Sequence, residues 1–394
     1  MNVPASADVV VAGAGIVGCA TAYALAKRGL KVVLVDKGSV GGAVSGASLA
    51  CIGAHMVDIG ELPLLQTACT LWRGYQDELE RDIEYQRCGQ LRFIAREGDF
   101  VAARRWLDQE RAGGLEVSLL DPREVREIVP ALSGPILGAT WSPNDATVNP
   151  FLSCRALVEA ARTRGAELVT GTAVIGITET DGRVSAVLTT AGVIATRWLV
   201  NACGPWAGRL AERVGHSLPI QPRKAQCLAT VRLPPTIPCV VGACEAGGGV
   251  EAGYSQIQQA KSGQVLFNTV LGGGLRNPGT EEQELSIDRA FVRDSVRTLL
   301  WLFPGLEDVM LLRSWARYEA VTPDDRFLVG PLAGLEGFLM AAGDNGIGFT
   351  RAPLIARALT EIIAGDDRTL DIGCYDPERF TALPEEAERI GSHA

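Results

Sequence analysis

The stretch Val9–Asp36, VVVAGAGIVGCATAYALAKRGLKVVLVD, decides how the rest of the chain is read. A short apolar run breaks at Gly13, Gly15 and Gly18, an Ala-rich helical pattern follows, and a second apolar run ends on Asp36. Strand, glycine turn, helix, strand is the order of a dinucleotide-binding unit. Gly13 permits a tight turn, Gly15 lets backbone approach a pyrophosphate, and Gly18 lets helix and strand pack closely, so phosphate charge sits at a helix N-terminus. Asp36 lies 18 residues beyond Gly18, where a carboxylate accepts the ribose hydroxyls. The unit alone does not choose between NAD and FAD.

Bulk properties narrow the class. A chain of 394 residues exceeds one ordinary core, so two domains are expected. A net charge of −9 argues against a nucleic-acid surface. The ten cysteines form no CxxC pair and no secretory leader is evident, so reduced thiols in a cytoplasmic setting are expected. Three scattered histidines, at 55, 216 and 393, suggest neither a metal site nor a catalytic triad. The uncharged run Val9–Ala26 is broken by glycines and reads as the nucleotide unit, not as a membrane span.

Beyond Asp36, a small-residue loop from Gly38 to His55 suits backbone lying against a flat ligand. Helical spacing covers 64–79, 101–113, 152–164 and 287–303, and strands are expected at 89–95, 115–120 and 167–170. Asp181-Gly182 marks a hairpin turn between two alternating runs, and 194–202 reads as one strand leading into Cys203-Gly204-Pro205-Trp206. Gly247–Gly249 and Gly272–Gly274 read as turns. A last helix carries Leu354, Ile355, Ala358, Leu359, Ile362 and Ile363 on one face and stops at Gly365.

Seven blocks in order resemble the FAD-dependent D-amino-acid oxidase family, in its glycine oxidase and sarcosine oxidase branch, which also holds D-amino-acid dehydrogenases. They are the opening unit, SGASLACIGAH at 45–55, CGQLRFIA at 88–95, DATVNPFLSCRALVEAARTRGAEL at 145–168, WLVNACGPWAG at 198–208, TPDDRFLVGP at 322–331 and AAGDNGIGF at 341–349. The resemblance implies an α/β protein: a Rossmann-like FAD-binding domain (1–85, 145–215 and 313–394) with an inserted substrate domain of α+β type built on a mixed or antiparallel sheet (86–144 and 216–312). It implies that Gly13, Gly15, Ile16, Val17, Gly18, Asp36 and Lys37 hold the pyrophosphate and adenosine ribose. Ser45, Ala47 and Ser48 would line pyrophosphate and flavin, and Val174 would meet the adenine end. Gly204 and Trp206 would close over the dinucleotide, while Gly343, Asn345, Gly346, Ile347, Gly348, Phe349 and Thr350 would run along the flavin. The family usually has Glu where this chain has Asp36, and either carboxylate accepts two hydroxyls.

The implied reaction is oxidation of a C–N bond by hydride transfer to flavin, giving an imine that water hydrolyses; placement and desolvation of the neutral amine do most of the work. Amino-acid members use an arginine just before the TPD element to fork the substrate carboxylate. Here that position is Glu319, with Arg317 nearby, so either Arg317 anchors the carboxylate, or Glu319 receives a cationic part of the substrate, or the two form a pair without a substrate role. Cys51 and His55 are substrate-side candidates or buried core groups, and Tyr254 is a lid candidate. Arg317 also occupies the place where some relatives tether flavin through cysteine, so FAD is expected to be non-covalent. Only five lysines are present, and Lys224 is either an oxygen-activating cation or a surface residue. The partner is a small amino acid or amine, or additionally a subunit carrying further redox centres, as in opine, hydroxyproline and cyanide-forming systems; such a partner would let the chain lie peripheral to the inner membrane.

Overall fold

The computed structural model describes residues 3–244, 255–271 and 285–380. Tyr254 and the glycine turns at 247–249 and 272–274 lie outside the described residues.

Strand β1 (Val9–Ala12), helix α1 (Ile16–Lys27) and strand β2 (Val32–Val35) form in the predicted order. Every residue of both strands is buried, as a parallel strand covered on both faces requires. β1 pairs in parallel with β2, Val9 opposite Val32, and on its other side with Trp198–Asn201, Val9 opposite Trp198. Trp198–Asn201 continues in parallel onto Leu335–Ala342, and Glu167–Val169 lies parallel beside β2. The hairpin Val174–Thr180/Arg183–Thr189 turns at Asp181 and Gly182, both with positive φ, and completes a nine-stranded sheet with Gly192–Ala195 and Leu328–Leu332. Alternate residues face opposite cores. Val9 and Val11 pack under α1, Pro150–Thr163 and the C-terminal helix, while Val10 and Ala12 pack with the hairpin and Leu210.

The expected single strand over 194–202 is two. Thr196 turns the chain by donating its hydroxyl to the Asp8 carbonyl at 3.0 Å and accepting from Trp198 N–H at 3.3 Å. Gly192–Ala195 thereby stays on the hairpin while Trp198–Asn201 joins β1.

A second, mixed sheet of eight strands is built from β3 (Gln221–Arg232), β4 (Leu311–Val321) and six strands from 90–142 and 240–267. Its core of Leu91, Phe93, Leu228, Val241 and Phe267 is covered by the helix Arg289–Leu302. β4 lies antiparallel to β3 along nearly its whole length, Gln221 opposite Val321 and Leu228 opposite Ser314. Residues 313–321, which the sequence division assigned to the FAD-binding unit, therefore belong to the second sheet. Helix α2 (Gly348–Ala364) returns to the first sheet, packs beside α1 and ends on Gly365 in the left-handed conformation.

Candidate active site

Close packing at the glycine turn is severe enough to require glycine. A Cβ at Gly13, where φ is +103°, would stand 2.3 Å from the Ala202 carbonyl oxygen, and one at Gly18 would stand 1.8 Å from the Gly13 carbonyl oxygen. β1, the start of α1 and the end of Trp198–Asn201 thus meet through backbone alone. α1 begins on Gly15 with no side-chain cap from that residue and no acid in its first turn; only Ile16 N–H is taken, by Ser45 Oγ at 2.9 Å. α2 begins in the same way, on Ile347, with neither a side-chain cap nor an acid in its first turn.

Both N-termini open into one cleft with about 1450 Å³ of free space, part of it open to solvent. Two helix ends with unsatisfied N–H groups and partial positive charge in one cavity call for an electron-rich ligand. The first turn of α2 is held firmly. Trp72 Nε1 donates to the Phe349 carbonyl at 2.7 Å, and Arg351, 1% exposed, is ion-paired with the equally buried Glu61 and bonded to Tyr375.

Gly13, Gly15, Ile16 and Val17 line the cleft beside Asp36 and Lys37. Asp36 accepts from Ala14 N–H and Gly38 N–H, both at 2.6 Å, which fixes the carboxylate at the end of β2 with lone pairs left for hydroxyls. Lys37 Nζ sits 3.4 Å from the centroid of the Trp206 ring, a cation–π contact that braces one wall. Ser45, Ser48, Val174, Gly204 and Trp206 continue the lining, and Gly343, Gly346, Gly348 and Phe349 form the far end.

Four expected cofactor residues work from behind the wall, as does Gly18. The Ala47 carbonyl accepts from Trp315 Nε1 at 2.9 Å and Arg317 Nη1 at 3.1 Å. Asn345, fully buried, accepts from Thr322 N–H and donates to Thr322 Oγ1 and the Gly343 carbonyl, tying the TPD turn to the glycine loop. Thr350 Oγ1 accepts from Gly53 N–H and donates to the Cys51 carbonyl. Ile347 is the helix cap and is not among the lining residues.

Of the substrate-side candidates among the described residues, Arg317 and Glu319 line the cleft, and Cys51, His55 and Lys224 do not. His55 is a satisfied core histidine, 2.9 Å from Glu110 Oε2 and 2.8 Å from Thr140 Oγ1. Cys51 donates its thiol to Gln90, and burial holds that thiol well above its usual pKa. Lys224 is not a surface residue, and it does not line the cleft. It is opposite Tyr318, whereas Arg223 and Ala225 are opposite Glu319 and Arg317, so strand alternation turns Lys224 to the other face of the sheet, where it is buried against Ser286.

The register also exposes residues that spacing could not find. Glu319 Oε1 accepts from Arg317 Nη2 at 3.0 Å and Oε2 from Arg223 Nη2 at 3.2 Å, while Arg317 Nη1 also reaches Cys227 Sγ at 3.0 Å. Arg317 Nε is buried without a partner. Asp344 lines the cleft too, its pKa raised to about 6 by burial first and by Glu319 second, against the Ala320 N–H donor and Arg317.

This chain belongs to the FAD-dependent oxidoreductase (DAO) family. The family pattern matches residues 8–362. The chain is 28% identical over 422 residues to hydrogen cyanide synthase subunit HcnC of Pseudomonas aeruginosa, covering 96% of this chain and 97% of the relative. It is 28% identical to glycine oxidase of Geobacillus kaustophilus over 94% of this chain and 97% of that enzyme. Its structure is similar to L-proline dehydrogenase from P. horikoshii, with a TM-score of 0.87 at 27% identity over 96% of this chain and 99% of the other. The cofactor is FAD, and the acid-free N-termini of α1 and α2 with the Asp36 carboxylate fit it: α1 would take the pyrophosphate, Asp36 the ribose, and α2 the electron-rich edge of the flavin.

Proposed function

We propose that this chain oxidises the C–N bond of a small amino acid or secondary amine, such as a D-amino acid, glycine, N-methylglycine, a proline derivative or an opine. FAD, when bound, would supply the hydride acceptor for the substrate Cα–H, and the imine that results would be hydrolysed by water. The chain's own residues bind, orient and desolvate the amine. Arg317 carries the reading: it is 92% buried, lines the cleft, and keeps Nε–H without a partner while its other groups are pinned by Ala47, Cys227 and Glu319. A guanidinium fixed on one edge with a spare donor is an anchor for a substrate carboxylate. Glu319 is already engaged by two arginines, so it positions Arg317 instead of receiving a substrate cation. The substrate unit follows the second sheet and the cofactor unit the first. FAD is held without a covalent tether in this reading, since Arg317 stands at the position where some members of the family carry the tethering cysteine.

The test is anaerobic bleaching of the flavin by a panel of these amines, repeated with Arg317→Ala. Losing a charge-assisted hydrogen bond of about 1.5–3 kcal/mol raises the apparent KM for the responding amino acid roughly 10- to 150-fold. A variant with wild-type KM sinks the anchor, and a wild type bleached by no amine sinks the reaction.

A second reading makes the chain the flavoprotein subunit of a larger dehydrogenase. Relatives named as subunits include HcnC and the sarcosine oxidase subunit beta of Rhodobacter capsulatus, the latter 27% identical over 91% of this chain. Gel filtration of the native assembly, with oxygen and dye compared as acceptors, separates the two. Among the described residues no helix is long and apolar enough to cross a membrane. The cytoplasmic placement we propose rests on the ten cysteines without a CxxC pair.

A further inference from the structure

We infer that Asp344 is the base that takes the proton from the substrate ammonium before hydride transfer. The inference rests on the amine-oxidation reading above and adds a catalytic residue to it. Asp344 lies between β4 and the start of α2, on the same cleft wall as Arg317 and Glu319. Its Oδ1 is fixed by the Ala320 N–H at 3.0 Å. The residue that opens α2 beside it is glycine: a Cβ at Gly348 would stand 3.0 Å from Asp344 Cβ and 3.5 Å from Oδ2, so no side chain at that position crowds the carboxylate, and Asp344 is part-exposed and lines the cleft.

An amino acid reaches a neutral site as an ammonium ion, whose nitrogen has no lone pair to form C=N as hydride leaves Cα. One N–H bond must break first. In the proposed step that proton passes to an Asp344 oxygen, an O–H bond forms, and the electron pair of the broken bond stays on nitrogen. The Cα–H pair then leaves as hydride to FAD, the nitrogen pair becomes the second bond of C=N, and Asp344 returns its proton to water as product departs. The charged groups facing Asp344 are Glu319 and Arg317 of β4, with the positive end of α2 beside them. Glu319 has both oxygens engaged, Oε1 by Arg317 and Oε2 by Arg223, so it does not present a free oxygen to the ammonium. Burial and Glu319 hold Asp344 at a pKa of about 6, ionised at neutral pH yet able to accept.

The experiment is stopped-flow anaerobic flavin bleaching by whichever panel amine reduces the wild type, from about pH 6 to about pH 10, in wild type, Asp344→Asn and Asp344→Glu. The wild-type rate is expected to level off above its acid limb. Asp344→Asn is expected to be slower by about 100-fold or more near neutrality, to climb with deprotonation of the free amine and to converge toward wild type at the alkaline end; Asp344→Glu is expected to restore the limb. Calorimetric binding of 2-aminoisobutyrate, which has no Cα–H to give, in two buffers of different ionisation enthalpy near neutrality is expected to show no net proton exchanged with buffer in wild type, because the ammonium proton stays on Asp344, and release of about one proton in Asp344→Asn, which has no acceptor and takes the neutral amine. An Asp344→Asn profile parallel to wild type at every pH, or an unchanged proton count, overturns the inference while leaving amine oxidation standing. A wild type that no amine bleaches overturns both.

Discussion

Replacing Gly18 by alanine tests whether the close approach at the glycine turn is structural, and replacing Gly15 provides the matched comparison. A Cβ on Gly18 falls 1.8 Å from the Gly13 carbonyl oxygen, which is backbone and has no rotamer by which to escape. Opening that contact to 3.0 Å, still tighter than real Cβ contacts, moves α1 or the turn by roughly 1 Å. α1 cannot slide freely, because it is packed against α2 and the helix Pro150–Thr163. Overpacking of this kind costs about 1–3 kcal/mol. At Gly15 the nearest atom is Ser45 Oγ at 3.1 Å, a hydroxyl that can rotate away, and Gly15 lines the cleft. Calorimetric unfolding of the apoproteins is therefore expected to show Gly18→Ala lowered by several degrees and Gly15→Ala lowered by only about 1 °C, on the basis of roughly 2–4 °C per kcal/mol. Titration with FAD, followed by quenching of its fluorescence, is expected to show weaker binding by both. An apo Gly18→Ala that unfolds with wild type, or an apo Gly15→Ala that proves the less stable of the two, refutes the reasoning.

Two further outcomes follow from buried charge. Arg351→Met strands the Glu61 carboxylate in the core and is expected to cost about 3–5 kcal/mol, with the double variant Arg351→Met/Glu61→Leu recovering much of it; equal loss in the two denaturant titrations would refute this. Asp344 binds its proton more tightly folded than unfolded, so its contribution to stability is full below the usual carboxylate value of 3.8 and is lost as pH rises through about 6. That interval is worth at most about 3 kcal/mol. The apoprotein of Asp344→Asn is accordingly expected to gain on wild type in chemical unfolding between about pH 4 and about pH 7, and a gap independent of pH would contradict it.

The opening unit was legible because its glycines are forced by backbone contact and its strands are apolar on both faces; both signals are local. The hairpin at Asp181-Gly182 and the C-terminal helix ending at Gly365 were legible for the same reason. What the sequence could not show depends on register between distant strands. Nothing near Lys224 says which face of β3 it takes; only pairing with β4 turns it from the cleft and brings Arg223 and Cys227 to Glu319 and Arg317. Asp344 sat inside a block read as cofactor-binding and passed unnoticed, although an acid in the apolar run AAGDNGIG was its signal. The break at Thr196 escaped because it depends on a carbonyl 188 positions earlier.

The two helix ends that share the cleft come from opposite ends of the chain, Ile16 and Gly348. A ribosome adding about 5–20 residues per second delivers the second roughly twenty seconds to a minute after the first. In the later part of that interval Trp198–Asn201, once made, lacks the strand Leu335–Ala342 that covers its outer edge, and such an open edge invites pairing with a neighbour. Loading with FAD thus waits for α2, and the growing polypeptide passes through the stage with this edge open without the ligand that both helix ends serve.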